Sequence, residues 1–250
     1  MVLETRQRLN SMPANACVIV PAYQAEATIS AVVEACGAEM PGVPVIVIDD
    51  GSRDETAPLA RKAGARVISL AHNMGKGCAL RAGFERAYAL GFDVAVTVDA
   101  DAQHPPRQAR LLLDHPADAG ALVLGVRDLV RDNAPKKNRI SNGISNFFLS
   151  GFSGRRLHDT QCGLRRYPLR RAIALGATAP GYAFEAEIIL RALAGGVPVV
   201  EVPVRVHYPP EHERVTHFDS VKDPARIIGA VVRTLVDVHV VHRRKSQHVQ

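Results

Sequence analysis

The chain has 250 residues, with 31 Lys and Arg against 25 Asp and Glu, which gives a formal net charge of +6 at pH 7. Because 47% of the residues are hydrophobic, a chain of this length can form a sizeable core and bury roughly three quarters of its unfolded surface, which excludes a disordered protein. The four cysteines are widely spaced and form no C-x-x-C pair, which excludes a disulfide scaffold and a zinc ribbon. The excess of positive charge indicates an anionic partner, either a nucleic acid, an anionic lipid or a phosphorylated small molecule.

No stretch of the sequence has the features of a secretion signal or of a membrane span. Residues 1–16 mix charged and polar side chains with few apolar ones, so they contain no signal-peptide core. The most hydrophobic C-terminal segment is interrupted by Arg226, Arg233 and Asp237, which is unfavourable for a transmembrane helix. We therefore expect a cytoplasmic protein that does not cross a membrane.

Short β-branched runs alternate with helical stretches in the first half of the chain, which is typical of βαβ units around a parallel sheet. Each run is apolar on both faces, as in central strands covered by helices. The predicted strands are 17–20, 45–48, 67–70, 94–98 and 121–126, and the predicted helices are 27–38, 56–63 and 77–90. The predicted fold class is α/β, with a mostly parallel sheet flanked by helices.

The pattern is looser beyond residue 127. We predict a polar, basic loop over 127–139, followed by two helices and a strand, at 140–149, 184–194 and 199–206. A last helix begins at Asp223, where an N-cap residue precedes a proline. Its apolar face is flanked by arginines, so it either touches an anionic membrane surface or packs on the core with a solvated basic end. The expected organisation is an extension over 1–15, one domain over 16–216 and this C-terminal amphipathic helix and tail over 217–250.

Acidic residues follow two of the predicted strands directly. Asp49 and Asp50 follow one strand, and Asp99 and Asp101 follow another. Because ligands bind outside the carboxyl ends of the strands in open α/β sheets, both pairs should face one crevice. The Asp-x-Asp pair is either a solvated turn or a pair of oxygen ligands for a divalent cation, and its position after a fully apolar strand favours the second interpretation.

Four motifs in the first half of the chain resemble those of family 2 glycosyltransferases with the GT-A fold, which is Rossmann-like. They are Val20-Pro21-Ala22-Tyr23, Asp49-Asp50-Gly51-Ser52-x-Asp54-x-Thr56, Asn73-x-Gly75-Lys76-Gly77 and Asp99-Ala100-Asp101-x-Gln103-His104-Pro105. The pattern is similar in particular to the branch of dolichyl-phosphate or polyprenyl-phosphate sugar synthases. The resemblance covers most of residues 16–216.

The resemblance implies that the first half of the chain binds a nucleoside-diphosphate sugar. It implies that Asp99, Asp101 and Gln103 hold Mg²⁺ or Mn²⁺ against the donor diphosphate. The residues implied in binding the nucleotide sugar are Pro21, Tyr23, Glu26, Asp50, Lys76, Asp99 and Ala100. The chain departs from the family at Gln24 and Ala25, where Asn-Glu is common, so the identity of the base stays open. Lys76 is alternatively a helix-start lysine between glycines that allow close packing.

The second half carries motifs similar to the acceptor side of the polyprenyl-phosphate branch. They are Asp159-Thr160-Gln161-Cys162-Gly163-x-Arg165, Gly181-Tyr182-x-Phe184-Glu185-x-Glu187 and Glu201-Val202-Pro203-Val204. Arg127, Arg139 and Arg214 match the arginines that contact the acceptor phosphate in that branch, and Asp101, Arg127 and Arg139 are the implied catalytic residues. The segment 214–218 lacks the usual Gly-x-Ser-Lys, which leaves the acceptor open, and Arg214 is alternatively a solvated surface charge.

The acceptor decides whether a general base is needed. A sugar hydroxyl is almost fully protonated at neutral pH and requires a base, for which Glu185 and Asp159 are the candidates, although each is equally interpretable as a structural partner of Arg165. A lipid monophosphate has its second pKa near 6 and needs only orientation and charge balance. The resemblance therefore favours inverting transfer to a polyprenyl phosphate at the inner face of a membrane.

Other interpretations follow from the same sequence. Transfer to a hydroxyl of a glycan or lipid stays open, as does a non-catalytic module that binds nucleotide sugars. The processive branch of the family uses a tryptophan-containing signature, and this chain has no tryptophan. Binding of nucleic acid is disfavoured, because aromatic residues make up only 5% of the chain and do not cluster with the arginines.

Overall fold

The architecture is taken from a computed structural model of the chain. The structure describes residues 15–208, together with Gly229, Arg233 and Thr234. The predicted N-terminal extension, Arg214 and most of the predicted last helix lie outside the described residues.

The described part of the chain contains seven strands and seven helices that alternate over most of its length. The strands are β1 (Ala16–Ala22), β2 (Val45–Asp49), β3 (Arg66–Ser69), β4 (Val94–Thr97), β5 (Leu122–Arg127), β6 (Arg165–Pro168) and β7 (Val199–Val204). The helices are α1 (Ile29–Glu39), α2 (Thr56–Lys62), α3 (Lys76–Ala89), α4 (Pro106–Leu113), α5 (Lys136–Ser153), α6 (Leu169–Ala174) and α7 (Ala183–Ala194).

The strands form one mixed sheet in the order β3-β2-β1-β4-β6-β5-β7. All neighbours run parallel except at β6, which is antiparallel to both β4 and β5. Alternate residues of β1 face opposite layers, as the two-residue period of a strand requires. Ile19 packs with the layer that contains Phe84 of α3, and Val20 packs with the layer that contains Val32 of α1. The predicted α/β fold with a mostly parallel, helix-flanked sheet is confirmed.

Strand β6 was not predicted from the sequence. Its sequence is Arg-Arg-Tyr-Pro, and two arginines and a proline argue against a central strand. Both guanidinium groups are buried and directed at main-chain carbonyls: Arg165 at Cys162, Thr160 and Glu185, and Arg166 chiefly at the segment 112–118. The long arginine side chains thus satisfy loop carbonyls that pack against the sheet, which a local propensity cannot reveal.

The predicted boundaries between residues 121 and 153 shift in the structure. Strand β5 includes Arg127, which the sequence analysis placed in a loop, and the connection to α5 is correspondingly shorter, over 128–135. Helix α5 begins at Lys136 and ends at Ser153, so it is longer than the predicted 140–149. Within the part of the chain that the structure describes, no helix is both long enough and apolar enough to span a bilayer.

Candidate active site

Two loops at the carboxyl edge of the sheet are joined by hydrogen bonds. The main-chain N–H of Gln24 donates to the hydroxyl of Ser52 at 2.9 Å, and that of Ala25 donates to the hydroxyl of Thr56 at 2.7 Å. The carboxylate of Glu26 accepts a hydrogen bond from the N–H of Glu55 at 3.1 Å. The predicted nucleotide residue Glu26 therefore also fixes the loop after β1 against the loop after β2.

Asp50 links the end of β2 to the start of α3. One carboxylate oxygen accepts a hydrogen bond from the N–H of Met74 at 2.8 Å, and the other accepts one from the N–H of Gly75 at 2.7 Å. Burial raises the pKa of Asp50, and the charge of Asp49 adds to the rise, although the two hydrogen bonds oppose it. This predicted base- or ribose-binding carboxylate thus holds the turn that immediately precedes Lys76.

Lys76 lies between two carboxylates. It is the first residue of α3, and its Nζ is 2.7 Å from Oδ1 of Asp99 and 3.1 Å from Oε1 of Glu185. Burial lowers the pKa of Lys76, but the two negative charges outweigh it and hold that pKa above its usual value. The ammonium also lies 5.6 Å from the ring centroid of Tyr182. Lys76 therefore stays charged and connects the end of β4 to the start of α7.

Asp99 fits its position only because residue 163 is a glycine. A Cβ built on Gly163 would lie 2.3 Å from Oδ2 of Asp99 and 2.8 Å from its Cγ, far inside van der Waals contact. Gly163 precedes Leu164 and strand β6, which is paired with β4. The motif at 159–165, which the sequence analysis placed on the acceptor side, thus also shapes the carboxylate pair of the predicted donor side.

The pKa values of the two carboxylates of the Asp-x-Asp motif shift in opposite directions. Burial raises the pKa of Asp99, but Lys76 outweighs it and the net shift is downward. Burial and the charge of Asp99 together raise the pKa of Asp101 to about 6. The N–H of Gln103 donates to Oδ1 of Asp101 at 3.0 Å, across Ala102 in the left-handed region at φ 58°.

The residues of this motif suit a hard divalent cation. Two carboxylates that repel each other in a partly buried site provide the oxygen ligands that Mg²⁺ and Mn²⁺ prefer. Among the described residues, no group of three or more His, Cys, Asp and Glu side chains could hold a metal ion by itself. Asp99 and Asp101 would supply two of the ligands of such an ion, and Gln103 is two residues further along the chain.

Arg127 lies on the predicted acceptor side of the site. Its Nε and Nη2 donate to the two oxygens of Asp159 at 2.7 and 2.9 Å, and its main-chain N–H donates to the same carboxylate at 3.1 Å. Its Nη1 donates to the hydroxyl of Tyr208 at 3.3 Å. Burial lowers the pKa of Arg127, but Asp159 outweighs it and the net shift is upward. Asp159 is thus the partner of Arg127 and not of Arg165, the pairing that the sequence left open as an alternative to a role as base.

An open cleft of about 490 Å³ begins at Arg127 and runs between the loop after β5 and helix α5. Arg139, on the first turns of α5, lines the same cleft and is exposed. Arg127 is also among the cations that lower the pKa of Asp99 and of Asp101. Arg127, which lines the cleft, therefore acts electrostatically on the carboxylate pair.

Three more of the residues predicted to bind the nucleotide sugar are Pro21, Tyr23 and Ala100. Pro21 lies half-buried in β1 and Tyr23 half-buried directly after it. The carbonyl of Ala100 accepts a hydrogen bond from the hydroxyl of Thr28 at 2.6 Å. Two residues of the site were not predicted from the sequence: Gly163, which makes room for Asp99, and Tyr208, which contacts Arg127. The glycine within the 159–165 motif was a usable signal for the first, whereas nothing in the sequence indicated the second.

The comparison with sequence families decides the class of the protein. The model of Glycosyl transferase family 2 matches residues 17–172. The chain belongs to this family. The resemblance drawn from the four motifs is therefore confirmed, and the protein is a glycosyltransferase.

Curated relatives of this glycosyltransferase include enzymes named for polyprenyl phosphates. It is 33% identical over 201 residues to a polyprenol monophosphomannose synthase of Mycolicibacterium smegmatis, which covers 75% of each chain. It is 32% identical over 166 residues to an undecaprenyl-phosphate 4-deoxy-4-formamido-L-arabinose transferase of Pseudomonas paraeruginosa. The second match covers 62% of this glycosyltransferase and 47% of that protein, so the chain spans about half the length of that relative.

Solved structures share the fold. The glucosyl-3-phosphoglycerate synthase of Mycobacterium tuberculosis superposes with a TM-score of 0.71 over 94% of this glycosyltransferase and 85% of that chain, at 20% identity. A complex of that enzyme with Mn²⁺, UDP and phosphoglyceric acid gives a TM-score of 0.69 at 21% identity, over 95% and 82% of the two chains. At this identity the superposition establishes the GT-A fold alone.

Proposed function

We propose that this glycosyltransferase moves a sugar from a nucleoside-diphosphate sugar to a polyprenyl phosphate, with inversion at the anomeric carbon and with Mg²⁺ or Mn²⁺ at Asp99 and Asp101. The protein would work as a peripheral enzyme at the inner face of the membrane. The names of the two curated relatives, a polyprenol monophosphomannose synthase and an undecaprenyl-phosphate transferase, support this acceptor.

The observation that carries the choice of acceptor is the state of the two candidate bases. Asp159 has no exposed surface and is held at both oxygens by Arg127. Glu185 is buried against the ammonium of Lys76. A general base must come within hydrogen-bond reach of the hydroxyl, and neither of these buried, cation-bound carboxylates is open to a substrate. A phosphate monoester needs no such base, because it is largely a dianion at neutral pH.

Arginines suit the acceptor phosphate. Arg127 has five N–H groups, and within the described residues three of them are directed to Asp159 and Tyr208. The remaining donors can meet phosphate oxygens in the cleft, together with the guanidinium of Arg139 across the same space. Because Asp159 fixes the plane of the Arg127 guanidinium, little side-chain entropy would be lost when the phosphate binds.

The donor would lie at the other half of the site. A bound divalent ion would take up negative charge on the diphosphate as its bond to the sugar breaks. Lys76 adds a fixed positive charge beside Asp99, and the two residues before Lys76 are held by Asp50 through their main-chain N–H groups. In the reaction, one acceptor phosphate oxygen attacks the anomeric carbon, the bond from that carbon to the diphosphate oxygen breaks, and the nucleoside diphosphate leaves with the electron pair.

The proposal is tested by measuring sugar transfer to a polyprenyl phosphate from several nucleoside-diphosphate sugars, with Mn²⁺ and with a chelator. Asp101→Asn should lower the rate on the order of 10²-fold, which is typical for loss of one charge-stabilising group. Asp114→Asn is the matched control, because Asp114 is exposed at the end of α4. Transfer by Asp101→Asn as fast as by the parent enzyme would disprove the metal role.

The acceptor is tested with the corresponding polyprenol, which offers a hydroxyl in place of the phosphate. We expect transfer to the phosphate only, with a rate that rises as the pH passes about 6, where the acceptor loses its second proton and Asp101 loses its own. Glu185→Gln should keep this pH profile. Sugar on the polyprenol, or a profile that disappears in Glu185→Gln, would favour the hydroxyl acceptor instead.

A further inference from the structure

Helix α5 has its apolar side chains on the outside. Five large apolar residues of this helix are exposed, and we call them the apolar stripe: Ile140, Ile144, Phe147, Phe148 and Phe152. Phe147 is 74% exposed. At about 100° per residue, the five side chains fall within an arc of roughly 140° on one face of the helix. Neighbouring phenylalanines of the stripe contact each other, with ring centroids 5.6 and 6.2 Å apart.

The opposite face of α5, which packs against the protein, is largely polar. The hydroxyl of Ser145 is 2.7 Å from that of Thr160, and the amide of Asn146 donates to the carbonyl of His158 at 2.6 Å. The hydroxyl of Ser150 accepts a hydrogen bond from the N–H of Leu157 at 2.9 Å. Rotating α5 to bury the stripe would break these hydrogen bonds, so the outward orientation of the apolar face is fixed by the fold.

This arrangement is the reverse of a surface helix in water, which buries its apolar face and exposes its polar one. An exposed apolar patch of this kind marks a surface for a partner or a membrane. The charges around the stripe identify the partner. Residues 136–156 contain five cations and no acidic residue. All five are exposed, two at the start of the helix, one a turn later and two just after its end: Lys136, Lys137, Arg139, Arg155 and Arg156.

We propose that α5 lies on an anionic membrane surface, with the apolar stripe inserted at the boundary of the acyl chains and the flanking cations among the lipid headgroups. Phenylalanine and isoleucine between lysines and arginines is the composition of interfacial helices. The choice of a membrane rests on the proposed function, since a polyprenyl phosphate resides in a bilayer. This helix is a different segment of the sequence from the predicted C-terminal helix over 217–250.

Helix α5 also contributes residues to the acceptor half of the site. Its first turns line the cleft through Arg139, Asn142 and Gly143, and Val130 lines the other wall, 70% exposed. The segment 157–161 that is bonded to α5 carries Asp159, the partner of Arg127. A helix docked on the bilayer would thus bring the cleft with its two arginines to the depth of lipid phosphates.

The test measures binding of the full chain to vesicles without donor or acceptor. Vesicles of equal parts phosphatidylglycerol and phosphatidylcholine are compared with vesicles of phosphatidylcholine alone. Phe147→Gln with Phe152→Gln should weaken binding to the anionic vesicles roughly tenfold or more. The matched control is Tyr88→Gln with Leu111→Gln, which removes two apolar side chains that are each 45% exposed outside α5. Lys136→Glu with Arg156→Glu should weaken binding to the anionic vesicles only.

Other occupants of the stripe give different results. If a second copy covers it, the parent chain is a dimer in solution and the double phenylalanine variant is a monomer. If another segment of this chain covers it, the same variant unfolds at a clearly lower temperature in the absence of vesicles, whereas an exposed stripe predicts an unchanged or higher temperature. Either result, or equal loss of vesicle binding in the control variant, overturns the proposal.

A failure of the proposed function and a failure of this inference would give different experimental results. Transfer to a short, water-soluble prenyl phosphate should be the same for Phe147→Gln with Phe152→Gln as for the parent chain, because the stripe is outside the reacting groups. Vesicle binding through α5 without any transfer would contradict the function and keep the inference. Transfer by a protein whose vesicle binding does not depend on α5 would support the function and contradict the inference.

Discussion

The guanidinium of Arg127 and the carboxylate of Asp159 meet in a two-point ion pair, at 2.7 and 2.9 Å. Asp159 is fully buried, and 13% of the Arg127 side chain is exposed, toward the cleft. The pair therefore turns one arginine into a rigid wall of the proposed acceptor site, at the end of a central strand.

The first prediction concerns this pair. Asp159→Ala should lower the free energy of unfolding by about 3 kcal/mol, because removing one partner of a buried pair leaves the other charge uncompensated. Asp159→Asn should cost less, since an amide oxygen still accepts a hydrogen bond. Urea unfolding measures the difference. If Asp159→Asn, once folded, raises the KM for the prenyl phosphate, the pair positions Arg127; an unchanged KM would contradict that role.

The second prediction concerns Gly163. Gly163→Ala should lower transfer activity and Mn²⁺ affinity, because its Cβ would displace the carboxylate of Asp99 from its place beside Lys76. Gly37→Ala is the matched control, since nothing lies within 4 Å of the added Cβ in α1. That variant should gain roughly 0.5–1 kcal/mol in stability through its helix propensity. Isothermal titration with Mn²⁺ checks the first change, and thermal unfolding checks the second.

The third prediction concerns the cation between two carboxylates. Lys76→Met should destabilise the fold by roughly 3 kcal/mol, because Asp99 and the buried Glu185 lose their shared partner. Adding Glu185→Gln should recover a part of that loss, which a double-mutant cycle of unfolding free energies measures. Additive effects of the two changes would show that the ion pair between Lys76 and Glu185 contributes nothing.

The fourth prediction concerns thiol reactivity. Burial raises the pKa of Cys17, Cys36 and Cys162 to about 12, so these thiols stay protonated and out of reach of reagents. Cys78, on α3, is half-buried. Titration with a thiol-specific disulfide reagent should label at most this one thiol in the native protein and all four after denaturation. Rapid labelling of native Cys78→Ser protein would be inconsistent with the three buried positions.

The fifth prediction concerns the buried guanidinium of β6. Arg166 donates to the carbonyls of His115, Ala117 and Asp118 at 2.8–3.0 Å. Arg166→Met should destabilise the protein by roughly 3 kcal/mol, because three main-chain carbonyls lose their donor, while folded protein keeps its rate of transfer. Arg170→Met, at an exposed position of α6, should change neither quantity. A lower rate in fully folded Arg166→Met protein would place this arginine in the reaction.

Much of the fold was predictable from local pattern. The four apolar runs that end in acidic or turn residues predicted β1 to β4 within about two residues. For β1, β2 and β4 the reason is that a parallel strand buried on both faces has a sequence unlike any surface segment, whereas β3 is an edge strand with partly exposed residues. The motif order also predicted the family. Strand β6 was not predictable, since its arginines and proline are unfavourable for a strand, and Arg166 is accommodated by carbonyls of the segment 112–118, far away in the sequence.

The residues of the site were also only partly predictable from the sequence. The sequence by itself determined which side chains reach the carboxyl edge of the sheet, namely Asp50, Asp99 and Asp101, because strand direction places the residues that follow each strand. Only the tertiary structure decided their partners: Lys76 with Asp99 and Glu185, and Arg127 with Asp159. It also decided that α5 presents phenylalanines to the outside. The partners of these side chains depend on distances between segments that are far apart in the chain. The orientation of α5 depends on its hydrogen bonds to another segment. Neither can be derived from the local sequence pattern.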